Sequence, residues 1–281
     1  MLSYRHGFHA GNFADVFKHI TLVLLLEHLK CKDKPFVYID THAGAGRYDL
    51  HGEMARKTRE AESGILKLWA APEPPTTVTT YLDTVRILNT GAGKPRWYPG
   101  SPRIARALLR PQDRLLLAEM HPADAPLLQQ EFRNDAQVQV LREDGYHLLK
   151  SKLPPHERRG MVLIDPAYEL HDEPARIVQG IIDASRRWAT GIYAIWYPIM
   201  SKVPARKLHE GLAATGLRKI LVAEFCLFPR DNPLGMNGSG LILINPPWQF
   251  DTELAGLMSW LQDHLDTSRQ GESTLRWLVP E

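Results

Sequence analysis

Short apolar, β-branched runs alternate with stretches of helix length along this chain. The runs fall at 36–40, 114–119, 138–142, 161–165, 192–196, 219–225 and 240–245. The first five are separated by segments long enough for crossover helices, which predicts a mostly parallel sheet. The last two are joined by a Pro/Gly/Asn-rich loop at 229–239, too short and too turn-prone for a crossover, so they should pair antiparallel. The expected fold class is α/β: a mostly parallel seven-stranded sheet with an antiparallel terminal hairpin.

One interval breaks the rhythm. Between the first strand and Arg114 the chain runs for about 70 residues where about 20 would complete a crossover. Helix-like stretches around 61–70 and 78–88, split by the turn from Pro72 to Pro75, predict a small helical insertion at 50–95 within a single domain spanning 1–281.

Composition adds mainly exclusions. With 281 residues, 44% of them hydrophobic and 23% charged, the chain can bury a full core without staples. Its two cysteines, Cys31 and Cys226, have no partner spacing for a disulfide framework or zinc site and read as reduced packing residues in a cytoplasm. The apolar run at 20–26 is too short to cross a bilayer, and the charged, His-rich start is unlike a secretory signal. A cytoplasmic monomer with no membrane association is expected. The net charge of +2 gives little general attraction for nucleic acid. Local clusters (Arg56, Lys57 and Arg59; Arg103, Arg106 and Arg110; Arg158 and Arg159; Lys202, Arg206 and Lys207) can neutralise phosphates, but each alone is ordinarily a solvated helix face.

Candidate chemistry gathers at strand ends. The first strand runs into Asp40-Thr41-His42-Ala43-Gly44-Ala45-Gly46. There Gly44 and Gly46 permit close backbone approach to a ligand, where open α/β sheets hold one. Glu119 closes the second strand, placed to take both ribose hydroxyls of an adenosyl group. Asp144-Gly145 follows the third, where the aspartate can accept from the adenosyl amine. Singly, each acid is more often a helix cap; Asp40, Glu119 and Asp144 at three successive strand ends form a pattern. A Gly-rich dinucleotide fingerprint and a phosphate-binding G-x-x-x-x-G-K-[ST] loop are both missing, which disfavours NAD and nucleoside triphosphates.

The fourth apolar run delivers Asp165-Pro166-Ala167-Tyr168. An adenine amine is a poor nucleophile because its lone pair is delocalised into the ring. A carboxylate accepting one N–H and a backbone carbonyl accepting the other favour a tetrahedral nitrogen with its lone pair free. Asp165 and the Pro166 carbonyl suit those roles, and proline's fixed φ offers no competing donor. Tyr168 can stack on a base taken out of its helix. The bland alternative is a strand ending in a Pro turn, with Tyr168 packing a helix. No cysteine lies near the motif, which disfavours covalent cytosine-C5 chemistry.

Asp165-Pro166-Ala167-Tyr168 resembles the D-P-P-Y motif of amino-methyltransferases, and the strand layout resembles that of class I (Rossmann-like) methyltransferases. Ser3-Tyr4-Arg5-His6, His9-Ala10-Gly11-Asn12, Lys18-His19, the 40–48 segment, Tyr98-Pro99-Gly100-Ser101-Pro102 and the closing Trp277-Leu278-Val279-Pro280-Glu281 together resemble the ribosomal RNA large subunit methyltransferase J family over essentially the whole chain. The resemblance implies an S-adenosylmethionine-dependent adenine-N6 methyltransferase acting on 23S ribosomal RNA. It implies that His19, His42, Ser101, Glu119, Asp144 and Gly145 line the cofactor site, that Asp165 is the catalytic acceptor, and that Tyr4 lies on the target-base side. Ala167 departs from the family's second proline. That frees Pro166 somewhat but leaves its carbonyl in place.

Asn245-Pro246-Pro247-Trp248 is a second match to the same motif type, but it follows the seventh strand and reads as a structural turn. His6, His9, His19 and His42 lack metal-ligand spacing, so no metal site is expected. Two other readings stay open: the same motif acting on DNA adenine or a protein amide, and a catalytically idle RNA-binding protein that keeps the fold.

Overall fold

The computed structural model describes residues 4–91, 93–201, 205–233 and 235–281. Ser3 of the N-terminal motif and Lys202 of the fourth basic cluster lie outside them. The strands are β1 (Val37–Asp40), β2 (Arg47–Asp49), β3 (Trp97–Pro99), β4 (Arg114–Ala118), β5 (Val138–Leu141), β6 (Gly160–Ile164), β7 (Ile192–Ile199), β8 (Ile220–Cys226), β9 (Gly238–Ile244) and β10 (Ser273–Val279). The helices are α1 (Phe13–Lys30), α2 (Glu53–Thr58), α3 (Ile65–Leu68), α4 (Thr76–Ile87), α5 (Ser101–Leu108), α6 (Asp124–Phe132), α7 (Gly145–Lys152), α8 (Glu173–Arg187), α9 (Arg206–Ala213) and α10 (Phe250–Leu265).

The main sheet runs β10-β8-β9-β7-β6-β1-β4-β5. The five strands from β7 to β5 are mutually parallel, while β9 is antiparallel to both β7 and β8. All seven expected strands are present, in the class I methyltransferase arrangement. An eighth, β10, adds antiparallel to β8 at the edge. It is partly exposed on both faces and lacks the apolar run that marked the others, which is why the hydrophobic pattern gave no sign of it. Strand β7 also continues three residues past the expected end, through Pro198, because β9 keeps pairing with it. Strand β6 has already ended there, so a residue without an N–H needs a partner on one side only.

Side chains alternate across the sheet as the pleat requires. Tyr38, Met161 and Leu163 face a core built with α1, α4, α5 and α10. Val37, Ile39, Val162 and Ile164 face the opposite core, with α7, α8 and α9. The interval from 50 to 95 holds α2, a 3₁₀ turn, α3 and α4, flanked by the small ribbon of β2 and β3. Ile65, Leu68, Tyr81 and Val85 of this interval enter the same core as α1.

Helix α1 is almost entirely buried, yet carries Asp15, Lys18 and His19. Asn12 caps it by accepting from the Asp15 amide at 2.9 Å. Among the described residues no helix is long and apolar enough to cross a membrane.

Strand β6 starts at Gly160, whose φ is +146° and whose pro-Cβ direction points into the Val37 carbonyl. Gly160→Ala should therefore cost at least about 3 kcal/mol by pushing β6 from β1. Gly216→Ala, at φ +78° in open space, should cost only about 1 kcal/mol of backbone strain. Urea unfolding of the two variants would test this; equal costs would contradict the close approach at Gly160.

Candidate functional site

The parallel strands present their carboxyl ends at one edge, and a cavity of about 840 Å³ opens there. Tyr4, His19, His42, Gly44, Ser101, Glu119, Asp144, Gly145, Asp165, Pro166 and Tyr168 all line it. Gly46 is the exception: its φ is +80°, its carbonyl accepts from the Gly100 amide, and its α-carbon faces Leu128 and Phe132 of α6. It serves the turn that leads into β2, so the second glycine of the loop answers to folding rather than to the cavity.

Over β1 and β4 the cavity wall is backbone and carboxylate. Glu119 accepts from the Gly44 and His121 amides, each at 2.7 Å, one on each oxygen. Both oxygens keep a further lone pair for a donor in the cavity. Burial raises the Glu119 carboxyl, with the two amide bonds opposing. Asp40, the first of the strand-end acids, lies wholly buried beneath the cavity. It accepts from the hydroxyls of Tyr38 and Ser101, each at 2.7 Å. Ser101 reaches the cavity from the first turn of α5.

Asp144 behaves as a helix cap. One oxygen accepts from the Tyr146 and His147 amides at the start of α7, and the other takes Arg176 of α8 at 2.9 Å. Neighbouring Glu143 also lines the cavity, and its Oε1 is buried with no partner among the described residues. An orphaned acceptor beside Gly145, together with Glu119 and the open Thr41–Gly44 loop, fits the donor-rich adenosyl end of the expected cofactor. Burial lowers His19 to about 3 and His42 to about 4, the surrounding carboxylates opposing, so both rings are neutral near pH 7. His19 shares a hydrogen bond with the Tyr98 hydroxyl at 2.8 Å.

At the centre, after β6, stands Asp165. Its Oδ2 lies 2.6 Å from Lys18 Nζ, and Lys18 in turn lies 2.9 Å from Asp15. No described residue donates to Oδ1 of Asp165. Burial works against the Lys18 charge, but Asp15 and Asp165 outweigh it and push the ammonium above its ordinary range. Asp15 also contacts His6 at 2.8 Å, and His6 contacts the Tyr4 hydroxyl at 2.9 Å. Tyr4 stacks on His9 and donates its backbone amide to Glu169. The turn after Asp165 is fastened at its far end: Tyr168, at φ +53°, donates its hydroxyl to the Trp196 carbonyl at 2.8 Å.

Sequence reasoning gave no role to Lys18, Asp15, Glu143, Arg176 or Trp196. A signal for the first two was present: Asp15 and Lys18 stand one turn apart in a stretch otherwise apolar enough to be core, and buried charges need partners. The second motif sits elsewhere. Because β9 runs antiparallel, Asn245 lies at the opposite end of the sheet, where its amide donates to the Ala189 and Gly191 carbonyls and Trp248 is exposed. Most of the basic clusters are matched by neighbours: Lys57 by Glu53, Arg59 by Glu62, Arg103 by Glu131, Arg106 by Asp135, Arg110 by Asp113 and Arg206 by Glu210. Among the described residues no group of three His, Cys, Asp or Glu side chains is placed to hold a metal ion.

Residues 33–279 match the family model described as ribosomal RNA large subunit methyltransferase D, RlmJ. The chain is 48% identical, over the full length of both, to ribosomal RNA large subunit methyltransferase J of Escherichia coli (strain K12). It is 46% identical, again over the full length of both, to the protein of that name from Haemophilus influenzae. Among solved structures, protein LPL1258 from Legionella pneumophila superposes with a TM-score of 0.88 at 36% identity, over 96% of this chain and 98% of that one.

Asp40 gives a pH test. Burial, partly offset by the bonds from Ser101 and Tyr38, raises its carboxyl to about 6, against about 3.9 in an unfolded chain. Folding thus favours the neutral form, and the stability this supplies is full below about pH 4 and lost as pH rises through 6. Asp40→Asn should gain on the order of 2 kcal/mol over the parent at pH 7.5 and lose most of that gain at pH 4.5. Thermal melts at both pH values measure it, and a difference that does not change with pH would refute the raised carboxyl.

Proposed function

The chain belongs to the family of ribosomal RNA large subunit methyltransferase D, RlmJ, and on that premise we propose that it methylates the N6 amine of an adenine in 23S ribosomal RNA, using S-adenosylmethionine. One observation carries the reading: Asp165 lies in the same cavity as Glu119, Gly44 and Gly145, with one oxygen tied to Lys18 and the other without a described donor. The cofactor, when bound, supplies an electrophilic methyl group. Glu119 offers acceptors for ribose hydroxyls, and Asp144, Gly145 and the unpaired Glu143 oxygen receive the adenosyl end. His19, His42 and Ser101 complete that wall.

The remaining work falls to groups around Asp165. Its free oxygen accepts one N–H of the target amine and the Pro166 carbonyl accepts the other, which localises the nitrogen lone pair. Lys18 fixes the carboxylate's rotation by holding its Oδ2. Neutral Tyr168, whose hydroxyl burial holds above its ordinary range, offers a ring face to the base, and Tyr4 closes the base side opposite. The rate gain is positioning and electrostatics, with no covalent enzyme intermediate. The chain 1–281 acts as one domain in this reading. Residues 58–63 of the 50–95 segment contribute a wall of the cavity, and a ribosomal RNA substrate places the work in the cytoplasm.

Unmodified 23S ribosomal RNA incubated with labelled S-adenosylmethionine should acquire label in adenine N6. Asp165→Asn should lower the rate at least about 100-fold without weakening cofactor binding. Label in another base, or cofactor binding without any transfer, would overturn the proposal; the latter would favour an idle RNA-binding protein. Lys18→Met tests positioning separately. With Oδ2 of Asp165 no longer held, kcat should fall at least about tenfold while the Kd for S-adenosylmethionine stays unchanged, and Lys18→Arg should recover part of the rate. An unchanged kcat would reduce Lys18 to a structural role.

A further inference from the structure

Seven large apolar side chains are exposed among the described residues, and three of them, Met120, Leu170 and Phe228, stand on the wall of the cavity that holds Asp165. Phe228 is the aromatic member of the three. It lies past Asp165 from the cofactor-lining loops: Gly44, Glu119 and Gly145 follow β1, β4 and β5, whereas Phe228 follows β8. The wall on that side is Trp196, Pro198, Met200, Phe228, Gly235 and Met236. Among the described residues it contains no ionisable side chain, so it suits a flat uncharged ring.

Phe228 is held in place rather than left on a loose loop. Its amide and that of Leu227 both donate to the Asn237 carbonyl. Asn237, fully buried, donates its side-chain amide to the carbonyls of Arg230 and Asn232 and its backbone amide to Ile199. Arg230 pairs with Glu224 at 2.8 Å and also contacts Glu272. A partly exposed phenyl ring at the mouth of a reaction cavity, carried on a backbone held in this way, is placed to meet a partner with a π face.

Resting on the methyl-transfer reading above, we propose that Phe228, with Met200 and Met236 beside it, is the platform on which an unpaired base next to the target adenine stacks. Single-stranded RNA is commonly held by such rings, and stacking on one is tolerant of base identity. The platform therefore fixes where the strand enters, while Asp165 and Pro166 select the amine.

The test uses the full chain and unmodified 23S ribosomal RNA. Phe228→Ala should raise KM for the RNA about five- to hundredfold, with kcat at saturating RNA within about twofold and the Kd for S-adenosylmethionine unchanged. Phe228→Trp should restore KM, whereas Phe228→Leu, apolar but without a π face, should not. Filter binding of the same RNA in the presence of S-adenosylhomocysteine gives a readout that needs no turnover and should show the same order. An unchanged KM and RNA affinity in Phe228→Ala, or full restoration by leucine, would overturn the platform while leaving the reaction standing. A parent protein that labels no adenine overturns the reaction instead. The filter assay then decides the platform alone, and RNA affinity lost in Phe228→Ala and regained in Phe228→Trp sustains it. Absence of RNA binding by the parent protein sinks both.

Discussion

A single ammonium group between two carboxylates organises this molecule. Lys18 is buried beside Asp15 and Asp165, and charges taken that far from water are tolerable only while each keeps its partner. The arrangement obliges α1 to sit deep in the protein with its polar face toward the end of β6, and it obliges the turn after β6 to hold Asp165 within reach. Removing Lys18 leaves both carboxylates without the counter-charge they share. The site is thus fastened from the helix side as well as from the sheet.

The two halves of the cavity are built on different principles. Over β1, β4 and β5, backbone amides and strand-end acids dominate, and His19 and His42 are kept neutral by burial. Over β7 to β9 the wall is apolar and aromatic. Asp165 stands where they meet, and the turn that carries it is pinned by Tyr168 to the neighbouring strand. That pin bears on Ala167: rigidity a second proline would have lent is supplied through a side-chain bond to Trp196 instead.

Much of the fold was legible because buried parallel strands must be continuously apolar and their ends must stop in turns. Strands β1, β4, β6 and β7 announced themselves in this way, β5 by its alternating Val138, Val140 and Leu141 at the sheet edge, and the loop from 229 to 239 announced the antiparallel pair. Strand β10 did not, since an edge strand exposed on both faces carries no such run. Asp165 was readable because four consecutive residues hold its chemistry. Lys18 was legible only as a charge in a helix otherwise fit for the core, since Asp165, its partner, lies far along the chain, and Glu143 carried no local sign of its buried oxygen. Gly46 illustrates a third case, a residue type that suits a ligand and equally suits a turn, and here it lies in the turn; Asp144 combines a helix cap with a place on the cavity wall.

Helix α1 near the start of the chain packs on β9 and α10 near its end, with Ser239 reaching the Ala14 carbonyl and Phe17 against Phe225 of β8. A ribosome adding roughly 5–20 residues per second needs on the order of ten to forty seconds to bring β9 out after α1. For that time one of the most apolar helices of the protein has emerged before the surface that covers it exists. A helix made early whose cover is made late is open to non-native contacts while synthesis continues.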